Sequence, residues 1–217
     1  MIRAIVFDFD GVIADSEPLH LRALQGVLAP LGMSVGREEY YARYLGYDDV
    51  GAFQAIGRDR GVDLSERDVR GLIAAKSTIY QTLLMGGGVL FAGAAQCVEG
   101  LASVFPLGIA SGALRHEIQA ILRTGGLDQH FRFIVASGDT PTGKPAPDPY
   151  LKAAALHGFE PSECVAIEDS RWGIESARSA GMRCVGITHS YPASELTAAD
   201  VIVDRLDQFT AELIRTL

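Results

Sequence analysis

Residues 3–12 are Arg3-Ala4-Ile5-Val6-Phe7-Asp8-Phe9-Asp10-Gly11-Val12. Their apolar part is rich in β-branched and aromatic side chains, which predicts a strand buried on both faces in the middle of a parallel sheet. Side chains two residues apart on a strand point to the same side, so we expect Asp8 and Asp10 to share its end, where Gly11 permits a sharp turn. Two neighbouring carboxylates repel each other unless a cation or a proton lies between them, and the cation that suits oxygen ligands is Mg²⁺. The alternative is that both acids simply end the strand in solvent.

The second half of the chain alternates between strand-like and helix-like segments. Short apolar segments, each predicting a buried strand, occur at residues 107–111, 133–136, 164–168, 184–187 and 201–203. Helical patterns occupy residues 115–124, 147–157, 173–180 and 208–215. Alternating strands and helices give right-handed crossovers. We therefore expect a three-layer α/β core, in which helices cover both faces of a central parallel sheet.

Residues 19–85 carry a helical pattern and no convincing strand. Ser65 and Asp68 have the spacing of a capping box, which predicts the start of a long helix. Three consecutive glycines, at 86–88, then end the region. We therefore predict an all-α cap domain at residues 15–89, inserted into a core formed by residues 1–14 and 90–217, with a hinge at each junction.

The composition argues against several classes of partner. The chain of 217 residues carries a net charge of −8, whereas nucleic acids and anionic membrane surfaces attract basic patches. No apolar run reaches membrane-spanning length, and nothing in the sequence indicates an obligate protein partner. Met1 leads directly into the first strand, and the cysteines Cys97, Cys164 and Cys184 lack metal or disulfide spacing. We expect buried thiols and a cytoplasmic protein without a signal or transit peptide.

Polar residues follow four of the predicted strands. In chain order they are Asp8 and Asp10, then Ser111-Gly112, then Gly143-Lys144-Pro145, and finally Glu168-Asp169-Ser170. In an open parallel sheet, ligands gather outside the carboxyl ends of the strands, where the strand order reverses. Four such coincidences predict a single site at this edge of the sheet.

Each of these groups also has a simpler interpretation. Ser111 could only cap the helix that follows it, Lys144 could be a solvated loop lysine, and Glu168 with Asp169 could cap a helix. Taken together, a metal held by acids, an anion-binding serine at a helix N-terminus and a lysine in a stiff loop predict phosphoryl transfer.

These segments resemble the four motifs of the haloacid dehalogenase-like hydrolase superfamily, in order and spacing. The motifs are Asp8-Phe9-Asp10-Gly11-Val12, Ser111-Gly112, Gly143-Lys144-Pro145-Ala146-Pro147-Asp148 and Glu168-Asp169-Ser170. The helical insert resembles the cap of the β-phosphoglucomutase and sugar-phosphatase branch. The resemblance implies a Rossmann-like core beside an all-α cap.

The same resemblance implies roles for the motif residues. Asp8 would attack phosphorus to form an aspartyl-phosphate, and Asp10 would protonate the leaving oxygen and later activate water. Mg²⁺ would be held by Asp8, the main-chain carbonyl of Asp10 and Asp169, with Glu168 beside it. The phosphate-binding residues would be Ser111, Gly112 and Lys144.

Several other reactions fit the sequence less well. Residues 138–144 have the spacing of a nucleotide-binding P-loop, but Pro145 stands where that loop needs a hydroxyl residue. No Gly-x-Gly-x-x-Gly follows a strand, so a dinucleotide site has no support. Dehalogenation needs no metal, which disagrees with the acidic cluster. Phosphonate cleavage by relatives uses a cap lysine as a Schiff base, and Lys76 is the one lysine of the insert.

The close alternatives are a phosphatase and a phosphomutase. His20 and Lys76 match cap positions of β-phosphoglucomutase-like proteins, although His20 could be a surface histidine and Lys76 a solvated lysine. The segment Leu45-Gly46-Tyr47-Asp48-Asp49 would face substrate, and it puts Asp49 where a mutase-like cap presents an arginine to a second phosphate. An acid there repels a dianion, although Arg43 could take over.

We therefore expect a Mg²⁺-dependent phosphatase that acts on a small phosphorylated metabolite, such as a sugar phosphate or a phosphoglycolate-like compound. A β-phosphoglucomutase-type enzyme is the alternative. A non-catalytic protein that binds a phosphorylated metabolite is a third possibility, although it would predict a defect in the motifs and none is found.

Overall fold

The computed structural model describes residues 1–45 and 47–217. It divides into two compact units. One consists of Met1–Ser16 and Gly88–Leu217 and is called here the α/β unit; the other, Glu17–Gly87, is called the helical unit. Each unit is described by itself.

A six-stranded parallel sheet forms the centre of the α/β unit. Its strands are β1 (Ala4–Phe7), β2 (Leu107–Ala110), β3 (Phe131–Val135), β4 (Cys164–Glu168), β5 (Arg183–Ile187) and β6 (Val201–Val203), in the order β3-β2-β1-β4-β5-β6. The chain builds the sheet outward from β1 in one direction and then, from β4, in the other. The strand order therefore reverses beside β1, and the predicted parallel sheet is confirmed.

The first strand lies in the middle of the sheet, as its sequence predicted. All four side chains of β1 are buried. Ile5 is in register with Leu107 of β2 and with Val165 of β4, so its neighbours are apolar on both sides. A strand that pairs on both edges and is covered on both faces cannot accept polar side chains, which explains the unbroken apolar run.

Helices follow the strands of the α/β unit. They are α5 (Ala94–Ala102), α6 (Arg115–Thr124), α7 (Asp148–His157), α8 (Arg171–Ser179) and α9 (Ala211–Arg215), counted after the four of the helical unit. Tyr150 of α7 and Ile174 of α8 pack in one cluster with Val6 and Ala166 of the central strands. These two helices therefore cover one face of the sheet next to its centre.

The helical unit consists of α1 (Glu17–Leu28), α2 (Arg37–Arg43), α3 (Asp49–Arg60) and α4 (Glu66–Leu84). Ser65 and Asp68 form the predicted capping box of α4, and Asp48 caps α3 by accepting from Gly51 N at 2.7 Å. Leu24 and Phe53 belong to a separate apolar core. No strand occurs in this unit among the residues that the structure describes.

The structure differs from the sequence expectations in a few elements. Strand β3 begins at Phe131 rather than Phe133, since the polar Arg132 interrupts the apolar pattern on an edge strand. Helix α5 was not expected; it begins after Gly93 without a side-chain cap and so carries no start signal.

The three cysteines are free and buried, as predicted. Among the described residues, none of the helices combines the length and the hydrophobicity that a membrane-spanning segment needs.

His157, at the end of α7, is expected to make the stability of the fold depend on pH. Burial lowers the pKa of His157 from 6.5 to about 4, and the positive charge of Arg132 acts in the same direction. The unfolded chain binds a proton near pH 6.5 and the folded chain does not, so this contribution to stability is complete above pH 6.5. It falls between pH 6.5 and 4, by about 3 kcal/mol in total at ~1.4 kcal/mol for each pKa unit.

Urea unfolding at a series of pH values measures this loss. We expect His157→Leu to flatten the dependence of the unfolding free energy on pH between 6.5 and 4. The exposed His116 provides the control, because His116→Asn should keep the wild-type slope. Equal slopes for wild type and His157→Leu would contradict the prediction.

Candidate active site

Three carboxylates meet at the carboxyl ends of the two central strands. Asp8 follows β1, Glu168 ends β4, and Asp169 comes next. One ligand atom from each lies within 4.8 Å of the others, and all three residues are buried. The convergence follows from topology, because β1 and β4 are neighbours at the point where the strand order reverses.

Lys144 supplies the positive charge of this cluster. Its Nζ donates to Asp8 Oδ1 at 2.7 Å and to Glu168 Oε1 at 2.6 Å. The lysine comes from the loop between β3 and α7, and its side chain is 13% exposed. The interpretation of Lys144 as a solvated loop lysine is therefore wrong.

The ionisation of the cluster reflects burial and crowded like charges. Burial raises the pKa of Asp8 to about 7; the Lys144 ammonium works against this shift, and the charge of Glu168 adds to it. The pKa of Asp169 is raised well above its ordinary value by burial and by the charges of Asp8 and Glu168. Burial opposes the charge of Lys144, yet Asp8 and Glu168 together raise its pKa. One lysine thus leaves the negative charge of three buried acids incompletely balanced.

A divalent cation fits this arrangement. The donors are all oxygen atoms, which suits Mg²⁺, and buried carboxylates need a partner for the charge that Lys144 does not balance. Asp8, Glu168 and Asp169 would hold the ion. They are also the one group of this kind found among the described residues.

Asp10 differs from the other acids. Its side chain does not join the carboxylate group, and its Oδ1 accepts a hydrogen bond from Ser16 instead. Burial raises the pKa of Asp10, while the Ser16 hydroxyl and the Lys144 charge lower it in part. A carboxyl group held apart from the cluster remains available for a separate role.

Ser111 and Gly112 follow β2, the other neighbour of β1. Ser111 is buried, and its Oγ accepts from Ala113 N at 3.1 Å. The following helix α6 has Leu114 as its N-cap, without a side-chain cap. Ser111 therefore does not cap α6, so the interpretation of Ser111 as only a helix cap is wrong.

Three residues around the cluster were not found from the sequence. The Tyr150 hydroxyl donates to Glu168 Oε1 at 2.6 Å, and the Ser176 hydroxyl donates to Ala146 O, in the loop of Lys144, at 2.6 Å. Ser190 forms a side-chain hydrogen bond with Asp169. Ser190 follows β5, so the rule applied to the other strand ends would have found it. Nothing in the sequence distinguishes the other two from ordinary helix residues.

Two glycines make room for the acids. A Cβ on Gly11 would lie 1.8 Å from Asp169 Oδ2, and Gly11 has a φ of +76°. A Cβ on Gly173, in the first turn of α8, would lie 1.9 Å from the Glu168 carboxylate atoms. The turn after β1 and the start of α8 are therefore shaped around the cluster.

The helical unit contains a second polar cluster, formed by His20, Lys76 and Asp49. Lys76 is buried, pairs with Asp49, and places its Nζ 3.3 Å from His20 Nδ1. The His20 ring stacks on Tyr80 with centroids 4.2 Å apart. Burial lowers the pKa of His20 to about 3, and the Lys76 charge adds to this effect. The interpretation of Lys76 as a solvated lysine is therefore wrong, whereas His20 is half-buried and is held by Tyr80 and Lys76.

The structure also shows the surroundings of two further residues of the insert that the sequence singled out. Gly46 lies outside the described residues. Arg43 pairs with Asp59 at 2.8 Å, so its charge is already partly balanced within the helical unit. Tyr47 is exposed.

A family model described as haloacid dehalogenase-like hydrolase matches residues 5–187. The chain belongs to this family. The match extends from β1 to β5, and so includes all four strand ends of the candidate site. The resemblance inferred from the motifs is confirmed.

Relatives along the full length place the chain in the branch that contains β-phosphoglucomutases and sugar phosphatases. Hexitol phosphatase B of Escherichia coli K12 is 32% identical, with 97% of this chain and 96% of that protein covered. The β-phosphoglucomutase of Bacillus subtilis is 28% identical, over 98% and 94%. A solved mutant of CbbY from Rhodobacter sphaeroides, in complex with xylulose 1,5-bisphosphate, has a TM-score of 0.83 and 28% identity over 96% of each chain.

These similarities confirm the fold class and the class of enzyme. The chain is a phosphatase-type hydrolase with a Rossmann-like α/β unit. The alternative of a non-catalytic binding protein is not supported, because Asp8, Lys144, Glu168 and Asp169 converge at one edge of the sheet.

Proposed function

We propose that the protein is a Mg²⁺-dependent phosphatase of a small phosphorylated metabolite, and that Asp8 forms an aspartyl-phosphate intermediate. The convergence of Asp8, Glu168 and Asp169 around Lys144 supports this proposal most strongly. Such a cluster provides a nucleophile, a cation site and a fixed positive charge within a few ångströms, as phosphoryl transfer requires.

In the first step, Asp8 Oδ attacks phosphorus and the bond to the ester oxygen breaks. The Asp10 carboxyl group gives its proton to that leaving oxygen, so the alcohol departs neutral. In the second step Asp10 takes a proton from water, which attacks the phosphorus and releases inorganic phosphate from Asp8. The Ser16 hydroxyl orients Asp10 for both steps.

The fixed charges lower the electrostatic cost of the attack. Lys144 offsets the repulsion between the Asp8 carboxylate and a phosphate dianion, since its Nζ already contacts Asp8. Ser111 and Gly112 would bind the phosphoryl oxygens through the hydroxyl and main-chain amides. Bound at Asp8, the Asp10 carbonyl, Glu168 and Asp169, Mg²⁺ would neutralise negative charge that develops during transfer.

The helical unit favours a monophosphate over a sugar bisphosphate. Asp49 pairs with Lys76 and Arg43 pairs with Asp59, so neither of these two cations is free to bind a second phosphate group. We propose that His20 and Lys76 contribute to the choice of substrate. The relatives include a hexitol phosphatase and a β-phosphoglucomutase, and the Asp49–Lys76 pair favours the phosphatase.

Release of inorganic phosphate tests the function directly. The substrates are p-nitrophenyl phosphate, hexitol phosphates, hexose phosphates, phosphoglycolate and xylulose 1,5-bisphosphate, each with Mg²⁺ or after chelation. We expect release from at least one monophosphate, falling by about 100-fold or more without Mg²⁺. No metal-dependent release from any compound would contradict the proposal.

A second assay separates the phosphatase from the mutase. The protein is incubated with β-glucose 1-phosphate and a trace of the corresponding 1,6-bisphosphate, and both products are followed. Glucose 6-phosphate accumulating faster than free phosphate would show a mutase and overturn the preferred function.

We also propose that the protein acts in the cytoplasm. The three free, buried cysteines suit a reducing compartment. Fractionation of cells that produce the untagged chain would test this assignment.

A further inference from the structure

Glu168 is bound unequally at its two oxygen atoms. Its side chain is fully buried. Oε1 accepts from Lys144 Nζ and from the Tyr150 hydroxyl, each at 2.6 Å, whereas Oε2 accepts only from Ser170 Oγ at 3.3 Å. Among the hydrogen bonds that the structure shows, Oε2 accepts fewer than Oε1, so Oε2 has more lone pairs available to bind a cation.

We infer that Tyr150 is a positioning residue, whose hydroxyl fixes the Glu168 carboxylate so that its other oxygen can serve the divalent cation. The inference rests on the proposed function, because it assumes that Asp8, Glu168 and Asp169 hold the ion. Tyr150 acts through Glu168 and is not assigned any contact with substrate or metal.

The fold gives Tyr150 a fixed position from which to act. It lies in the first turn of α7, is fully buried, and packs in the apolar cluster beneath the central strands. Its ring also lies beside the second donor, with Lys144 Nζ 5.0 Å from the ring centroid. The side chain that binds Glu168 therefore also limits where Lys144 can move.

The loop between Lys144 and Tyr150 is itself anchored. The Ser176 hydroxyl of α8 donates to Ala146 O at 2.6 Å. Lys144 and Tyr150 thus reach Glu168 from one tethered segment, while Glu168 belongs to β4. Loss of the tyrosine hydroxyl would leave Lys144 as the sole donor to Oε1 and would free the carboxylate to rotate.

The Tyr150→Phe variant tests the inference, because it keeps the ring and removes only the hydroxyl. Binding of Mg²⁺ to the full chain is measured by titration calorimetry after chelation, and p-nitrophenyl phosphate hydrolysis is measured across Mg²⁺ concentrations. We expect the Kd for Mg²⁺ to rise about 10-fold or more, as for other partners of metal ligands. At saturating Mg²⁺ we expect kcat to change much less than Kd.

Tyr44 provides a matched control in the helical unit. It is also buried, and its hydroxyl also donates to a carboxylate, Asp59 Oδ2, at 2.6 Å. We expect Tyr44→Phe to leave the Kd for Mg²⁺ unchanged. An equal rise in Kd for both variants would overturn the inference, since the effect would then come from general destabilisation.

A double-mutant cycle shows whether Tyr150 acts through Glu168. In the Glu168→Ala background the acceptor is gone, so Tyr150→Phe should weaken Mg²⁺ binding no further. A Kd for Tyr150→Phe within twofold of wild type overturns the inference, and so does a variant that fails to fold, because the hydroxyl would then serve the fold. If wild type itself binds no Mg²⁺, the proposed function fails instead.

Discussion

Replacing Asp8 with asparagine is expected to lower kcat for phosphate release by at least about 10⁴-fold, the scale of loss when a nucleophile is removed. A neutral amide cannot attack phosphorus at a useful rate. The fold should persist, because asparagine has nearly the same volume and its Oδ1 can still accept from Lys144. Steady-state release of phosphate measures the loss, and thermal unfolding shows that the variant is folded.

Asp8 can be tested as the covalent residue independently of rate. Acid quenching during turnover, followed by peptide mass analysis, should find one phosphoryl group on the peptide that contains Asp8 in wild type and none in Asp8→Asn.

Asp200 is a suitable control for Asp8→Asn. Its side chain is 15% exposed and pairs with Arg183. Asp200 comes directly before β6, so it does not lie at the carboxyl end of a strand. Asp200→Asn should reduce stability and leave kcat unchanged. Retained activity in Asp8→Asn would remove the nucleophile assignment and the mechanism built on it.

The sequence was sufficient to predict the main elements because each carries a local signal. Strands β1 and β4 are unbroken apolar runs that end in acids, and α4 begins with a complete capping box. Polar residues at strand ends then predicted most of the cluster, since parallel strands bring their carboxyl ends to one edge. The meeting of Asp8 with Glu168 and Asp169 required only that β1 and β4 be neighbours.

The partners of the cluster were harder to predict because their signals are not local. Tyr150 is one aromatic residue in a helix, and its bond to Glu168 depends on how α7 packs on the sheet. The Asp49–Lys76 pair depends on the packing of α3 and α4. The sequence spacing also placed Asp10 near Asp8, and the charge of Asp10 does raise the pKa of Asp8. Because β1 ends at Phe7 and the chain then turns, however, the Asp10 carboxylate is not one of the three that lie together, and it binds Ser16 instead.

Replacing Gly173 with alanine should damage both stability and the metal site. Alanine normally stabilises a helix interior by about 1 kcal/mol relative to glycine. Here its Cβ would lie 1.9 Å from the Glu168 carboxylate, which Tyr150 and Lys144 hold in place. Overpacking typically costs ~1–3 kcal/mol, so we expect a net loss of stability in urea unfolding, together with weaker binding of Mg²⁺ and lower activity.

Gly100 of α5 distinguishes this clash from the general effect of alanine in a helix. A Cβ on Gly100 would meet no atom within 4 Å, so Gly100→Ala should gain up to about 1 kcal/mol and leave the Kd for Mg²⁺ unchanged. If the free energy of unfolding falls for Gly173→Ala and rises for Gly100→Ala, the buried carboxylate and not the helix requires glycine at position 173. If Gly173→Ala were as stable as Gly100→Ala and bound Mg²⁺ as wild type does, Glu168 would have to be free to move aside. Its role in holding the ion would then be excluded, because a carboxylate that can leave its position at no cost is not fixed for metal binding.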